Sequence, residues 1–460
     1  MATLSLPCGR AGAQPVDRSP PANAAELDSI IRRTVAEKQL IGLSAGVMQD
    51  GKIVLAKGYG VRALGTSDSV TTETLFAIGS VTKQFTCAAL LVLADEKKLS
   101  LSDRVAKYMP RLTRARDITL LDLGQHVSGY RDYYPLDFVD KEMQRAATDE
   151  AIINEYATRP LDFDPGTRWS YSNTNFLILG RVIERVSGQP FGTFLAWRFF
   201  GPLGMTHTAY DPAPSPALVM AKGYTSFSLA TPVPADPEGK GWAGAAGAIW
   251  STPTDLLAWD RALVDRKILS PASYRTLTTA RRLADGRSTG YGCGEGVNDR
   301  GESIVLSHGG AVSGFVAQNT VVPSTRSAVV LLSNADFAAI GALNAELVAK
   351  LLPHVDVPAI SGLAALDAGK AFLAQLEAGT VDRSTLGEDF DAHLSAEKLA
   401  AASAALRQLG PIANVRVVQT RERGGMEVAS LQFTVGTVPA QALMYRTPDG
   451  KIQEFLLSRR

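Results

Sequence analysis

Apolar residues recur along this chain at two periods, and the switches between them mark its elements. Leu27, Ile30, Ile31 and Val35 fall at helical spacing and predict an amphipathic first helix. Apolar runs at 41–48 and 53–59 flank Asp50-Gly51, the turn chemistry of a β-hairpin. Phe85 and the run from Cys87 to Ala94 are apolar on every side, as in a helix buried within a large core. Further on, 314–322 and 327–332 predict a second hairpin around Pro323-Ser324, and Phe337, Ile340, Leu343 and Leu347 begin a closing helix. The stretch from Pro353 to Ala359 reads as a linker. Beyond it lie two helical patterns, 364–378 and 395–409, and four strand-like runs punctuated by Gly424-Gly425 and Asp449-Gly450, which together predict a small α+β domain.

Composition supplies the core these elements need, since 45% of the 460 residues are hydrophobic. That length implies more than one domain. A net charge of +1 gives no global pull toward nucleic acid, and no apolar run approaches the roughly 18 residues of a membrane helix. The five histidines do not pair at ligand spacing, so neither a metal nor another cofactor is expected. Cys8, Cys87 and Cys293 are too scattered for a disulfide framework, and Cys87 reads as an inert core residue. Residues 1–24 resemble the tail of a secretory leader, with small residues at Ala11-Gly12-Ala13 before a Pro-rich stretch, yet lack a basic start and a long apolar centre.

Candidate chemistry begins at Ser80-Val81-Thr82-Lys83, read as a helix start. Positions i and i+3 share a helix face, so the Lys83 amine can take the Ser80 proton, and free N–H groups at the helix start favour the charge that develops on attack at a carbonyl. Ser395-Ala396-Glu397-Lys398 has the same spacing, but it opens an amphipathic helix with Leu399, Ala402, Leu406 and Leu409 on one face. There Ser395 reads as an N-cap and Lys398 as a solvated charge. On the tetrapeptide alone the N-cap role is open to Ser80 as well.

Two more constellations follow in order, Tyr171-Ser172-Asn173 and His308-Gly309-Gly310. With S-x-x-K they resemble the serine β-lactamase and penicillin-binding-protein superfamily, in its class C-like branch of β-lactamases, D-aminopeptidases, D,D-carboxypeptidases and esterases. The resemblance covers roughly residues 25 to 355. It includes Gln125-His126-Val127-Ser128-Gly129-Tyr130, similar to the family's His-x-Ser-Gly loop, the helix-like stretch 179–188, and the Gly-rich segment 244–256. It implies an antiparallel sheet carrying the first and last helices on one face, plus a helical region, in residues 25–353. A linker at 354–362 and an α+β domain at 363–460, similar to cystatin-like or nuclear-transport-factor-like appendages, would follow.

The resemblance also assigns roles. Ser80 would be the nucleophile of an acyl-enzyme and Tyr171 a general base, its phenolate stabilised by Lys83. Asn173 would hold Lys83 and offer its amide to the substrate, although a loop-capping Asn is the alternative. Gly309 and Gly310 would leave a strand edge bare for a substrate backbone, while the N–H groups of Ala311 and Ser80 would form an oxyanion hole. His308 stands where β-lactamases of this branch carry Lys. A histidine there would neutralise a substrate carboxylate only when protonated, which weakens the β-lactamase reading; a turn histidine is the alternative.

The function so implied is a serine hydrolase acting on small esters, amides or D-amino-acid peptides. The alternatives are a β-lactamase or a penicillin-binding receptor that acylates without turnover. A small-molecule substrate, no nucleic acid, no membrane span and oligomerisation through the C-terminal domain are expected. The resemblance suggests a periplasmic or secreted protein, and the incomplete leader leaves a cytoplasmic one open.

Overall fold

Ser327–Ser333 is buried at every position, as in a strand covered on both faces. In the computed structural model, which describes residues 23–134, 139–215, 217–228, 230–299, 303–352 and 358–459, this strand lies inside a six-stranded antiparallel sheet. The order across the sheet is Lys52–Gly60, Gly42–Gln49, Ser327–Ser333, Phe315–Val322, Ile304–Val312 and Gly296–Asp299. Both predicted hairpins are present as neighbouring pairs. Of the leader-like stretch only Asn23 and Ala24 fall within the described residues, and Cys8 does not.

The period-two alternation of the central strands sorts side chains into two cores. Val329 and Leu331, with Leu43, Ala45 and Val47, meet Leu27 and Ile31 of the helix Ala24–Glu37 and Leu343 and Leu347 of the helix Gly341–Ala349. On the other face Val330 and Leu332 join a larger core with the helices Thr82–Asp95, Asn173–Ser187 and Pro253–Val264. The closing helix begins at Gly341 rather than Phe337. Asp336 still donates its N–H to the Tyr224 carbonyl at 3.1 Å, and Ala335 bridges Tyr224 in parallel, so sheet-like pairing holds the chain up to Asp336, and a turn closed by the Ala338 N–H on the Ala335 carbonyl at 3.1 Å carries it past Phe337 before the helix can start.

The described residues divide into two compact units, the second comprising those from 358 onward. In it the strands Ile412–Arg423, Met426–Val435, Val438–Arg446 and Ile452–Arg459 form an antiparallel sheet in sequence order. Phe372 and Leu376 of the helix Ala365–Ala378 and Leu399 and Leu406 of the helix Ala396–Leu409 pack on Leu431, Phe433 and Met444. A six-residue helix, Glu388–His393, was not foreseen, being too short to carry a periodic signal. Ser395 caps the following helix, accepting the Lys398 N–H at 3.2 Å. No described helix is long and apolar enough to cross a membrane.

Candidate active site

Ser80 sits in a one-turn 3₁₀ segment, Gly79–Val81, that leads into the helix Thr82–Asp95, rather than in the helix itself. Such tightening is common at helix N-termini and keeps the i, i+3 juxtaposition. Gly79 has φ +50, a left-handed conformation that favours glycine, and a Cβ there would lie 2.9 Å from the Ala311 nitrogen. A Cβ on Gly310 would lie 2.0 Å from the Ile78 carbonyl oxygen. These two missing side chains bring the Ser80 turn and the strand Ile304–Val312 together, backbone against backbone.

Lys83 is fully buried. Its Nζ lies 2.9 Å from Ser80 Oγ, 2.8 Å from Asn173 Oδ1 and 2.8 Å from the Ala246 carbonyl oxygen. Burial lowers its pKa to about 7, partly opposed by the charge of Asp132. Two of its three partners can only accept, so a neutral amine donates both hydrogens to them and turns its lone pair toward the Ser80 hydroxyl. Asn173 is oriented by Asp132, which accepts the Asn173 backbone N–H at 2.9 Å and its Nδ2–H at 3.2 Å. Asp132 and the Ala246 carbonyl were not identified from the sequence as parts of this network. Asp132 follows the recognised loop at 125–130, and Ala246 lies in the recognised Gly-rich segment, but a carboxylate's partner and a carbonyl's direction are visible only in three dimensions.

The Tyr171 ring centroid is 4.9 Å from Lys83 Nζ, so the predicted Ser80, Lys83, Tyr171 and Asn173 are brought together. His308 lies within the strand Ile304–Val312, not in a turn. It is buried, with Nδ1 against the Gly309 carbonyl at 2.6 Å and Nε2 2.8 Å from the Tyr291 hydroxyl. A carbonyl can only accept, so Nδ1 carries the proton and Nε2 accepts from Tyr291. Burial, and then the nearby Lys83, lower the His308 pKa to about 3. The expectation that His308 gains charge in the ordinary imidazole range is therefore corrected: it is a neutral residue locked by Tyr291. The strand Gly296–Asp299 pairs only as far as Ser307, leaving Gly309, Gly310 and Ala311 to border a cleft of about 1380 Å³ together with Ser80, Tyr171 and Asn173.

The reading of Cys87 as an unpaired core residue is also corrected. It is buried one helical turn beyond Lys83, but joined by a disulfide to Cys293, with Cα atoms 5.7 Å apart. The partners are 206 residues apart in sequence, a separation at which spacing says nothing about proximity. Among the described residues no group of three or more His, Cys, Asp or Glu side chains is placed to hold a metal ion.

A sheet flanked by its own terminal helices, with a helical region bearing the S-x-x-K turn beside a strand edge, defines a β-lactamase/transpeptidase-like fold. The chain belongs to the beta-lactamase family, whose profile matches residues 27–352. It is 31% identical over 315 residues to a D-aminopeptidase of Brucella anthropi, covering 67% of this chain and 59% of that protein. It is likewise 31% identical over 300 residues to a putative penicillin-binding protein, PbpX, of Bacillus subtilis, covering 64% of this chain and 71% of that one. A D-stereospecific amidohydrolase from a Streptomyces species matches with a TM-score of 0.59 at 26% identity, over 69% of this chain and 95% of that one. An octameric penicillin-binding protein homologue from Pyrococcus abyssi matches with a TM-score of 0.60 at 20% identity, covering 95% of this chain and 96% of that one. This chain thus spans less than two thirds of the D-aminopeptidase, while the Pyrococcus likeness of fold extends over most of its length.

Proposed function

We propose that the protein is a serine hydrolase that opens amide bonds of D-amino-acid amides or short D-peptides through an acyl-enzyme. The observation that carries the chemistry is the placement of Lys83, whose lone pair faces Ser80 once its two hydrogens are given to Asn173 Oδ1 and the Ala246 carbonyl. Neutral Lys83 accepts the Ser80 proton as Oγ attacks the substrate carbonyl. The N–H groups of Ser80 and Ala311 receive the oxyanion. Tyr171, beside Nζ, passes the proton to the departing amine as the C–N bond breaks. Water then attacks the ester on Ser80, and its proton returns through the same pair as the acid leaves.

The cleft wall supports a substrate with a free ammonium group. Asp132, Asp162, Asp236, Glu238 and Asp336 line it, and Arg131, the only Arg or Lys among its described lining residues, is paired with Asp162 at 3.0 Å. With His308 neutral, no described lining side chain offers a spare cation to a substrate carboxylate, which disfavours β-lactams. The names of the aminopeptidase and amidohydrolase relatives agree with this choice. We also extend the octameric assembly of the Pyrococcus homologue to a proposal that the C-terminal unit mediates self-association. The deciding test compares D-alanine p-nitroanilide, its N-acetyl derivative, p-nitrophenyl acetate and a chromogenic cephalosporin. The free-amine anilide should exceed its acetylated form in kcat/KM by at least about tenfold, the effect of one charge-assisted contact. Equal rates for the two, or faster cephalosporin hydrolysis, would overturn the substrate assignment.

A further inference from the structure

Tyr171 belongs to neither a helix nor a strand, since the chain is irregular through 168–172 until the helix starts at Asn173. Its position must be set from outside, and His126 does so on both flanks. The His126 carbonyl accepts the Ser170 N–H at 3.0 Å, and its ring Nδ1 accepts the Ser172 N–H at 3.1 Å. Between these bonds the imidazole lies against the Tyr171 ring, with centroids 4.4 Å apart and planes 32° apart. Tyr291 and Phe176 close the imidazole in at 4.9 and 5.2 Å.

His126 is an expensive residue to keep in this place. It is fully buried, its φ is +57, and Nε2 has no hydrogen-bond partner among the described residues. Because Nδ1 accepts, Nε2 carries the proton, and a buried N–H without a partner is destabilising. A non-glycine residue in the left-handed region adds backbone strain. An Asn would tolerate the backbone and a Phe the burial, so packing alone does not select histidine.

We infer that His126 is a positioning residue that fixes the Tyr171 phenol relative to Lys83 and Ser80 by holding the N–H groups on either side of it. The inference rests on the acyl-enzyme reading above. His126 is assigned no proton-transfer role: burial first, and then the nearby Lys83, hold its pKa well below the ordinary imidazole value.

The test compares His126→Gly and His126→Asn. Both side chains accept a positive φ, and only Asn keeps an acceptor oxygen near the place of Nδ1. Rates are normalised to active sites titrated with a fluorophosphonate. His126→Gly should lower kcat by about 10²-fold, the usual consequence of a catalytic group misplaced by about 1 Å. KM should change by less than about threefold, and the ascending limb of the kcat/KM pH profile should move by at least about half a pH unit. His126→Asn should recover at least about tenfold in kcat and restore the limb. Should the cavity left by glycine prevent folding, His126→Phe fills it without an acceptor and should show the same loss. Equal kcat in the Asn and acceptor-less variants, or an unmoved pH limb, overturns the inference. Ser80→Ala run in parallel separates the two claims, since turnover by that variant would overturn the acyl-enzyme reading itself.

Discussion

Replacing Asp132 by Asn tests whether the buried lysine is the base. Nζ of Lys83 reaches Asn173 Oδ1 at 2.8 Å, and the other end of the same carboxamide reaches Asp132 at 3.2 Å. Across one carboxamide the two charges stand about 7–8 Å apart, where Coulomb's law at an effective dielectric of about 20 gives about 2 kcal/mol. That energy corresponds to about 1.5 pH units, and water in the open cleft reduces it, so a shift of about 0.5–1.5 units is expected. The sign follows from the charges: the carboxylate favours the ammonium, and its loss lowers the Lys83 pKa from about 7. Catalysis needs the neutral amine, so in wild type kcat/KM should rise with pH through a midpoint near 7, and in Asp132→Asn that midpoint should fall. The assay is kcat/KM for p-nitrophenyl acetate between pH 5 and 9, a neutral substrate whose own charge cannot move the profile. An unmoved midpoint, or one that moves upward in a folded variant, would refute Lys83 as the titrating base.

Four further outcomes are expected. Ser80→Ala should lose several orders of magnitude in turnover, whereas Ser395→Ala should cost at most about 1–2 kcal/mol of cap stability and no activity; adduct mapping of a fluorophosphonate to a serine other than Ser80 would reverse the assignment. With the His308 pKa at about 3, the ratio of kcat/KM for carboxylate-bearing and neutral esters should show no imidazole titration between pH 5 and 8, and a step in that ratio near 6.5 would show that His308 is exposed to charge after all. Replacing both Cys87 and Cys293 by Ala should lower unfolding stability by about 2–4 kcal/mol, measured by urea denaturation against wild type under oxidising conditions; no change would mean the pair is not bonded in solution. Ending the chain near residue 353 should leave a folded hydrolase that elutes as a smaller species in light scattering than the full chain, and an unchanged mass per particle would remove the assembly role from the C-terminal unit.

What the sequence revealed follows from the range of each interaction. The i, i+3 relation of Ser80 and Lys83 survives even though the turn is 3₁₀, because both geometries place those side chains on one side. Tyr171 and Asn173 were found through their pattern, and the two hairpins through Asp50-Gly51 and Pro323-Ser324, all local signals. Asp132, Tyr291 and the Cys87–Cys293 bond escaped because each acts across tens to hundreds of residues. His126 lies in the loop legible at 125–130, but its hold on Ser170 and Ser172 is a long-range contact that no residue type announces. His308 shows the opposite error: its type suggested a titratable switch, and burial against Tyr291 removed that property.

The electrostatics of the centre follow from crowding three basic groups into one buried space. Lys83 lowers the pKa of both histidines, burial lowers all three, and the site can therefore hold few protons near neutrality. In the proposed reaction a tetrahedral oxyanion would meet the N–H groups of Ser80 and Ala311, on two segments that Gly79 and Gly310 allow to approach backbone against backbone. Glu238 is braced by the Ser313 N–H at 2.8 Å and the Tyr134 hydroxyl at 3.1 Å, so it presents its charge from a fixed position. In the proposed substrate an ammonium group would meet that carboxylate, and acetylating the amine removes the charge while adding bulk at the same point.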